Sequence, residues 1–131
     1  MDREIIFRGK TNSGNWAYGS LVYSDDIQPA IYFQTGKGQV KEFDWVYVDP
    51  VTVGQFTGLY NANRSRIFEG DIVTNDVVVA LQEPCLVVFE HGFKLKRGNF
   101  YAPLPIAHAF ATKVIGNTHD NSELMEVKNV N

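Results

Sequence analysis

The amino-acid sequence predicts an all-β, mainly antiparallel domain, built as a small barrel or a sandwich, with an N-terminal hairpin and little helix. Three observations support this fold class. Aromatic residues make up 13% of the chain, and aromatic and β-branched residues favour strands. Short apolar segments recur along the chain and are separated by turns rich in Gly, Pro, Asn and Asp. Little of the sequence shows the 3.6-residue periodicity of an amphipathic helix.

Four strands are predicted in the N-terminal part. The first two, Arg3–Arg8 and Trp16–Tyr23, are joined by the polar turn Lys10–Asn15 and form a hairpin. A third strand, Ala30–Gln34, begins after a proline. The segment Phe43–Val48 is strand-like and ends at an Asp-Pro pair.

The central part of the chain predicts a hairpin followed by a β-meander. The segment Val51–Val73 holds a glycine-punctuated strand, a polar turn and the start of a second strand. The meander strands are Asp71–Ala80, Cys85–Glu90 and Phe93–Arg97. Because Cys85–Glu90 is apolar on both sides, we expect it to be central or buried on both faces. A closing strand is predicted at Lys113–Gly116.

The length of 131 residues predicts a single domain, residues 1–131. We divide it into N-terminal strands at 1–50, a central hairpin and meander at 51–117, and a tail at 118–131. The segment Ile106–Ala111 fits either one helical turn or an extended strip. In the tail, Asn121 or Ser122 is placed to N-cap a short turn.

Composition narrows the function classes. The net charge of −3 disfavours a generic nucleic-acid binder, since phosphate binding needs a basic surface. No apolar run approaches the ~20 residues of a membrane span, and the first ten residues lack the apolar core of a secretion signal. The single cysteine, Cys85, excludes an internal disulfide. We therefore expect a protein of the cytoplasm.

The sequence offers no coherent set of catalytic or metal-binding residues. Glu69-Gly70-Asp71 has two carboxylates, but Gly70 suits a turn and Asp71 can accept local backbone N–H bonds. The histidines, His91, His108 and His119, lack zinc-ligand spacing and accompanying cysteines.

Other reactive motifs are also missing. Cys85 lies between apolar residues, which raise a thiol pKa. Gly36-Lys37-Gly38 lacks the spacing of a phosphate-binding loop. We predict no cofactor, no metal and no enzymatic activity.

One strand is a candidate binding surface. Lys94 and Lys96 alternate with apolar residues, Arg97 follows, and Phe100 and Tyr101 come next. A basic strand beside aromatic residues can bind single-stranded nucleic acid through phosphates and stacking. The alternative is a solvated strand face whose lysines prevent edge pairing.

Several segments together resemble the YopX family of phage and prophage proteins. They are Arg3–Arg8, Gln55–Tyr60, Ile67–Val73, Val114–Asn117 and Asp120–Leu124. The resemblance spans nearly the whole chain. It implies a small, mainly β, intracellular, phage-encoded protein for which an oligomer is plausible, and it supplies no catalytic residues.

Two positions depart from the family pattern. The family usually has an Asp–x–x–Gly turn where this chain has Asn61–Ser65, and a proline where it has Ser122. The turn can form without its glycine because Asn tolerates the left-handed conformation.

Taken together, these observations predict a phage or prophage accessory protein in the cytoplasm of a bacterial host. We expect a non-enzymatic module that binds a host or phage protein, with self-association into a homo-oligomer. A nucleic-acid-binding β-barrel is the alternative, and an enzyme is a remote one.

Overall fold

The structure is a computed structural model that describes residues 4–23, 28–36, 41–75, 83–104 and 112–126. These ranges contain strands and short 3₁₀ turns but no α-helix. The strands are β1 Phe7–Lys10, β2 Trp16–Tyr23, β3 Pro29–Gln34, β4 Phe43–Tyr47, β5 Gly54–Tyr60, β6 Arg66–Phe68, β7 Asp71–Asn75, β8 Cys85–Phe89, β9 Phe93–Arg97, β10 Phe100–Pro103 and β11 Thr112–Asn117. Every strand pair with a described register is antiparallel. The predicted all-β, mainly antiparallel fold class is confirmed.

The chain divides into two compact units, Met1–Phe56 and Thr57–Asn131. In the first unit the strand order is β4-β3-β2-β1-β5. Strand β5 continues into the second unit, where it lies next to β6. The second unit also contains a five-stranded sheet of order β10-β9-β8-β7-β11.

Strand β2 changes partners at Gly19. Its first half, Trp16–Gly19, pairs with β1, and its second half, Ser20–Tyr23, pairs with β3. A Cβ atom at position 19 would overlap the carbonyl oxygen of Tyr32. A glycine is therefore required where the strand passes from one neighbour to the other.

The core of the first unit is small. Ile31 and Val48 are fully buried, and Phe56 is almost so. A Cβ atom at Gly9 would lie 2.6 Å from a methyl carbon of Val48. The predicted first strand, Arg3–Arg8, ended before Gly9; instead β1 passes through this glycine because Val48 packs directly over it.

The core of the second unit is formed by strands β6 to β9 and by Leu104, which follows β10. Its buried members are Ile67, Val73, Cys85, Val87, Leu95 and Leu104. Strand β8 is the middle strand of the five-stranded sheet, as its apolar sequence predicted. Each buried aliphatic side chain contributes about 1.5–3 kcal/mol relative to exposure.

The loop after β5 is organised by a buried asparagine. The Oδ1 atom of Asn61 accepts backbone N–H bonds from Asn63 at 2.9 Å and Ser65 at 3.0 Å. Arg64 has a φ of 62°. The left-handed residue is thus Arg64 and not an asparagine as we expected; Asn61 instead holds the loop closed.

Two further family motifs also build turns. Gly70 has a φ of 93°, and Asp71 Oδ2 accepts the backbone N–H of Phe68 at 2.7 Å. In the C-terminal motif, Asn117 Oδ1 accepts the N–H groups of His119 and Asp120. These geometries confirm the predicted turn role of Glu69-Gly70-Asp71.

The C-terminal part agrees with the prediction in outline. A 3₁₀ turn covers Ser122–Met125, with Asn121 in the N-cap position. The Asn121 side chain does not cap this turn, because its Oδ1 accepts the N–H of Asn117 at 3.2 Å. The predicted segment Ile106–Ala111 and the end of the predicted strand Asp71–Ala80 lie outside the described residues.

Candidate functional site

The first unit exposes a face of aromatic side chains that the sequence analysis did not single out. In the β3–β4 register, Tyr32 lies opposite Trp45, and Phe43 and Tyr47 flank Trp45 on the same side of β4. We call these four residues, Tyr32, Phe43, Trp45 and Tyr47, the aromatic face. Three of them pack in a row: Tyr32 stacks on Trp45 with ring centroids 6.1 Å apart, and Trp45 meets Tyr47 edge-on at 4.9 Å.

The aromatic face is open to solvent. Its members are between 37% exposed (Tyr32) and 66% exposed (Phe43). A contiguous exposed apolar surface on a domain is characteristic of an interaction site, and Tyr and Trp are enriched at such sites. Exposed single aromatics need no explanation, but four on one face, three of them packed in a row, do.

The first unit also contains a groove. It has a volume of about 690 Å³ and is lined by Thr11, Asn12, Ser13, Asn15, Trp16, Ala17, Tyr18, Phe33, Val46 and Tyr47. Tyr47 belongs to both surfaces. The groove lining carries hydroxyl, amide and aromatic groups and no ionisable carboxylate or amine.

The ring of Trp16 at the groove is supported by an arginine. The guanidinium carbon of Arg8 lies 4.7 Å from the ring centroid, and Arg8 itself is buried. This cation–π contact fixes the orientation of the ring.

Acidic residues flank β4, although alternation places Asp44 on the side opposite Trp45. Glu42, Asp44 and Asp49 are exposed beside β4, and Lys41 is the one basic residue in segment 41–49. The Asp44 carboxylate accepts the backbone N–H of Trp45 at 2.8 Å. Asp49 accepts the N–H of Val51 at 3.0 Å at the following 3₁₀ turn.

The predicted basic strand is present, but its residues are divided between two faces. Tyr101 lies opposite Lys96, and Phe100 lies opposite Arg97. Because side chains alternate along a strand, Lys94, Lys96 and Tyr101 share one face, while Arg97 and Phe100 are on the other. The described structure brings together three of the five predicted residues.

The lysine face is partly occupied by its own contacts. The ammonium group of Lys96 lies 5.3 Å from the centre of the Tyr101 ring. The hydrogen bond with the Tyr101 hydroxyl, with a smaller effect from Glu90, raises the pKa of Lys96. Lys96 therefore stays charged, and part of its charge is already engaged by Tyr101 and Glu90.

On the opposite face, Arg97 has a structural role. Its Nε atom is 3.0 Å from Glu83 Oε2, and its Nη1 donates to the carbonyl oxygen of Pro84 at 2.7 Å. These contacts fasten β9 to the start of β8. Arg97 is consequently not directed to the same partner as Lys94 and Lys96.

Other candidate reactive groups are also structural where the chain is described. Cys85 is buried, and burial raises the pKa of its thiol, with Arg97 opposing this effect. His91 lies in the β8–β9 turn with a φ of 58°, and His119 packs in the C-terminal turn. His108 and the Lys37–Gly38 pair are outside the described residues. Within the described ranges, no cluster of His, Cys, Asp or Glu could hold a metal ion.

Alternation in the sequence could have revealed the aromatic face. In Phe43–Tyr47 an aromatic residue occupies every second position, so all three share one side of a strand. Tyr32 could not be added from sequence, because its contact with Trp45 depends on the β3–β4 register.

Across the described part of the chain, no helix combines the length and hydropathy needed to cross a membrane.

Known proteins support the fold and the family. The fold is similar to the crystal structure of protein EF1440 from Enterococcus faecalis, with a TM-score of 0.65 and 20% identity over 95% of this chain and 100% of that chain. No curated protein matches the sequence. The family model described as YopX protein matches residues 6–126, and the chain therefore belongs to the YopX family.

Proposed function

We propose that this chain is a non-enzymatic phage or prophage accessory protein of the bacterial cytoplasm that binds a host or phage protein. The aromatic face is the observation that carries the proposal. Its exposed rings, three of which pack in a row, match the composition of protein-recognition surfaces. Burying them against a partner removes apolar area from water at about 25 cal/mol per Å² before the costs of association.

The border of the face specifies the partner's chemistry. Glu42 and Asp49, at the two ends of β4, give this border a negative charge. A fitting partner has an apolar centre that meets Trp45 and a basic rim that meets the carboxylates. Such rim charges increase the association rate more than the final affinity.

Affinity purification from infected or lysogenic cells tests this function. We compare the wild type with a Trp45→Ala/Tyr47→Ala variant and with a matched Phe100→Ala/Tyr101→Ala variant on β10. The wild type and the β10 variant should capture the same protein, with nuclease present or absent, and the β4 variant should lose it. Equal capture by all three chains, or no capture above background, contradicts the proposal.

The face shared by Lys94, Lys96 and Tyr101 favours a second candidate, the binding of single-stranded nucleic acid. Fluorescence anisotropy with single-stranded oligonucleotides at low salt measures it. Lys94→Glu should abolish any binding on this face, while Arg97→Gln, on the opposite face, should not. Binding that is insensitive to Lys94→Glu would exclude this surface.

A further inference from the structure

The open edge of β4 differs from the other edges of the two sheets. Within the described residues β4 pairs only with β3. Exposed edges invite strand pairing, and natural proteins block them with short strands, prolines, lysines or bulges. Strand β6 has three residues, β10 ends in Pro103, and β11 carries Lys113 and a register shift at Val114/Gly116. Strand β4, with Phe43, Trp45 and Tyr47, has no proline, lysine or bulge, and its one charged residue is Asp44.

The backbone hydrogen bonds show which groups of β4 are directed outward. Val48 N–H donates to the Pro29 carbonyl at 3.0 Å, and Thr35 N–H donates to the Glu42 carbonyl at 2.7 Å. Hydrogen-bonded pairs alternate along an antiparallel ladder. Positions 42, 44, 46 and 48 are therefore bonded to β3, and the backbone groups of positions 43, 45 and 47 are directed to the open edge.

A side-chain contact agrees with this alternation. Trp45 N–H is bonded to the carboxylate of Asp44 at 2.8 Å and not to β3. The contact is exposed, so an incoming strand can replace the carboxylate with a backbone carbonyl. Asp44 thus marks the central donor of the open edge and competes with any strand that pairs there.

We propose that this edge pairs antiparallel with β4 of a second copy of the chain, with the two-fold axis beside Trp45. The sequence of β4 is suited to its own reverse: Phe43 of one copy lies opposite Tyr47 of the other, and Trp45 lies opposite Trp45. Aromatic cross-strand pairs stabilise antiparallel sheets. Each Asp44 lies opposite Val46, so the register keeps the two carboxylates from facing each other directly, which would be destabilising.

The pairing also joins the aromatic faces of the two copies. The rings at positions 43, 45 and 47 are on one side of β4, and a continuous antiparallel sheet keeps them on one side in both copies. The interface is isologous, as closed two-fold dimers require. It rests on the edge geometry alone and does not depend on the proposed partner protein.

Light scattering of the purified full-length chain over a range of concentrations measures the association directly. The mass should rise from one chain to two. Trp45→Lys places two lysines opposite each other at the axis and should weaken the dimer by about tenfold or more. Tyr32→Lys adds the same charge to the same face one strand away from the edge, and should leave the dimer intact. Circular dichroism establishes that both variants fold.

Two further measurements do not depend on Trp45→Lys. Asp44→Ala removes the competing acceptor and should tighten the dimer. Amide hydrogen exchange should slow with concentration at residues 43, 45 and 47, while residues 44 and 46 are protected at every concentration by β3. A concentration-independent monomer, a dimer unaffected by Trp45→Lys, or equal concentration dependence at all five amides overturns the proposal. The light-scattering and hydrogen-exchange measurements use the purified chain without a host or phage protein. Their outcomes are therefore independent of the affinity-purification result.

Discussion

Two non-glycine residues, Arg64 and His91, hold the left-handed backbone conformation, with φ of 62° and 58°. This conformation costs an L-residue about 1–2 kcal/mol. In the Asn61–Ser65 loop the cost is offset by hydrogen bonds, because Asn61 accepts from two backbone N–H groups and is itself buried. The loop therefore keeps its shape although a residue other than glycine, Arg64, takes the left-handed conformation.

Replacing Arg64 with glycine should stabilise the protein. The change removes the left-handed strain, and the greater freedom of glycine in the unfolded chain offsets part of the gain, so we expect a net increase of about 0.5–1 kcal/mol. Urea unfolding measures the difference. Arg64→Ala keeps the strain and serves as the control, with little change expected. A destabilised Arg64→Gly would show that contacts of the arginine side chain outweigh the strain.

The buried thiol of Cys85 makes a pH-dependent contribution to stability. Burial raises the thiol pKa in the folded protein above its unfolded value. The folded state therefore retains the proton at a pH where the unfolded state loses it, and stability is full below about pH 8.5 and falls as the pH rises above it. We expect Cys85→Ala to lower stability overall but to remove this part of the alkaline decline. Parallel pH profiles of the two proteins, measured by urea unfolding, would contradict the expected difference.

At the scale of elements, turns with strong sequence signals made strand bounds predictable. The predicted strands Trp16–Tyr23 and Phe93–Arg97 match β2 and β9 in full, because Gly, Asn and Ser bound them on at least one side. The first strand was placed too early, since Gly9 signals a turn locally but is kept within β1 by its close approach to Val48. Packing across the sheet overrides such a local signal.

The change of partner along β2 gives a testable requirement for Gly19. Gly19→Ala should destabilise the protein by about 2–3 kcal/mol, because the added methyl group overlaps the Tyr32 carbonyl oxygen. Gly14 is the control: it has a φ of 87° but nothing within 4 Å of the added Cβ, so Gly14→Ala should cost only the left-handed strain of about 1 kcal/mol. Urea unfolding of both variants measures the two costs, and equal losses would show that the overlap is relieved by a small movement of β3.

At the scale of the whole molecule, the sequence predicted the class of fold and the family better than the binding surface. The family motifs around Gly70 and Asn117 form turns, so they identify the fold while contributing no reactive group. The five predicted basic-strand residues were treated as one group, although the alternation already noted for Lys94 and Lys96 places Arg97 on the other face. The aromatic face needed the register between β3 and β4, which depends on pairing between distant segments.

The net charge of −3 and the divided basic strand together limit how this molecule can bind nucleic acid. Lys94 and Lys96 are the two basic residues on this face of β9, and both are half-buried. About two phosphates can therefore be neutralised there. For single-stranded nucleic acid, a plot of the logarithm of the binding constant against the logarithm of salt concentration should then have a slope of about −1.4. Anisotropy titrations at several salt concentrations measure this slope, and Lys94→Gln should roughly halve it. A much steeper slope would require a basic surface larger than β9 supplies. A slope near −1.4 with weak affinity would instead fit an incidental contact, because so few released counterions provide little binding free energy at physiological salt. The aromatic face would then remain the stronger candidate for recognition.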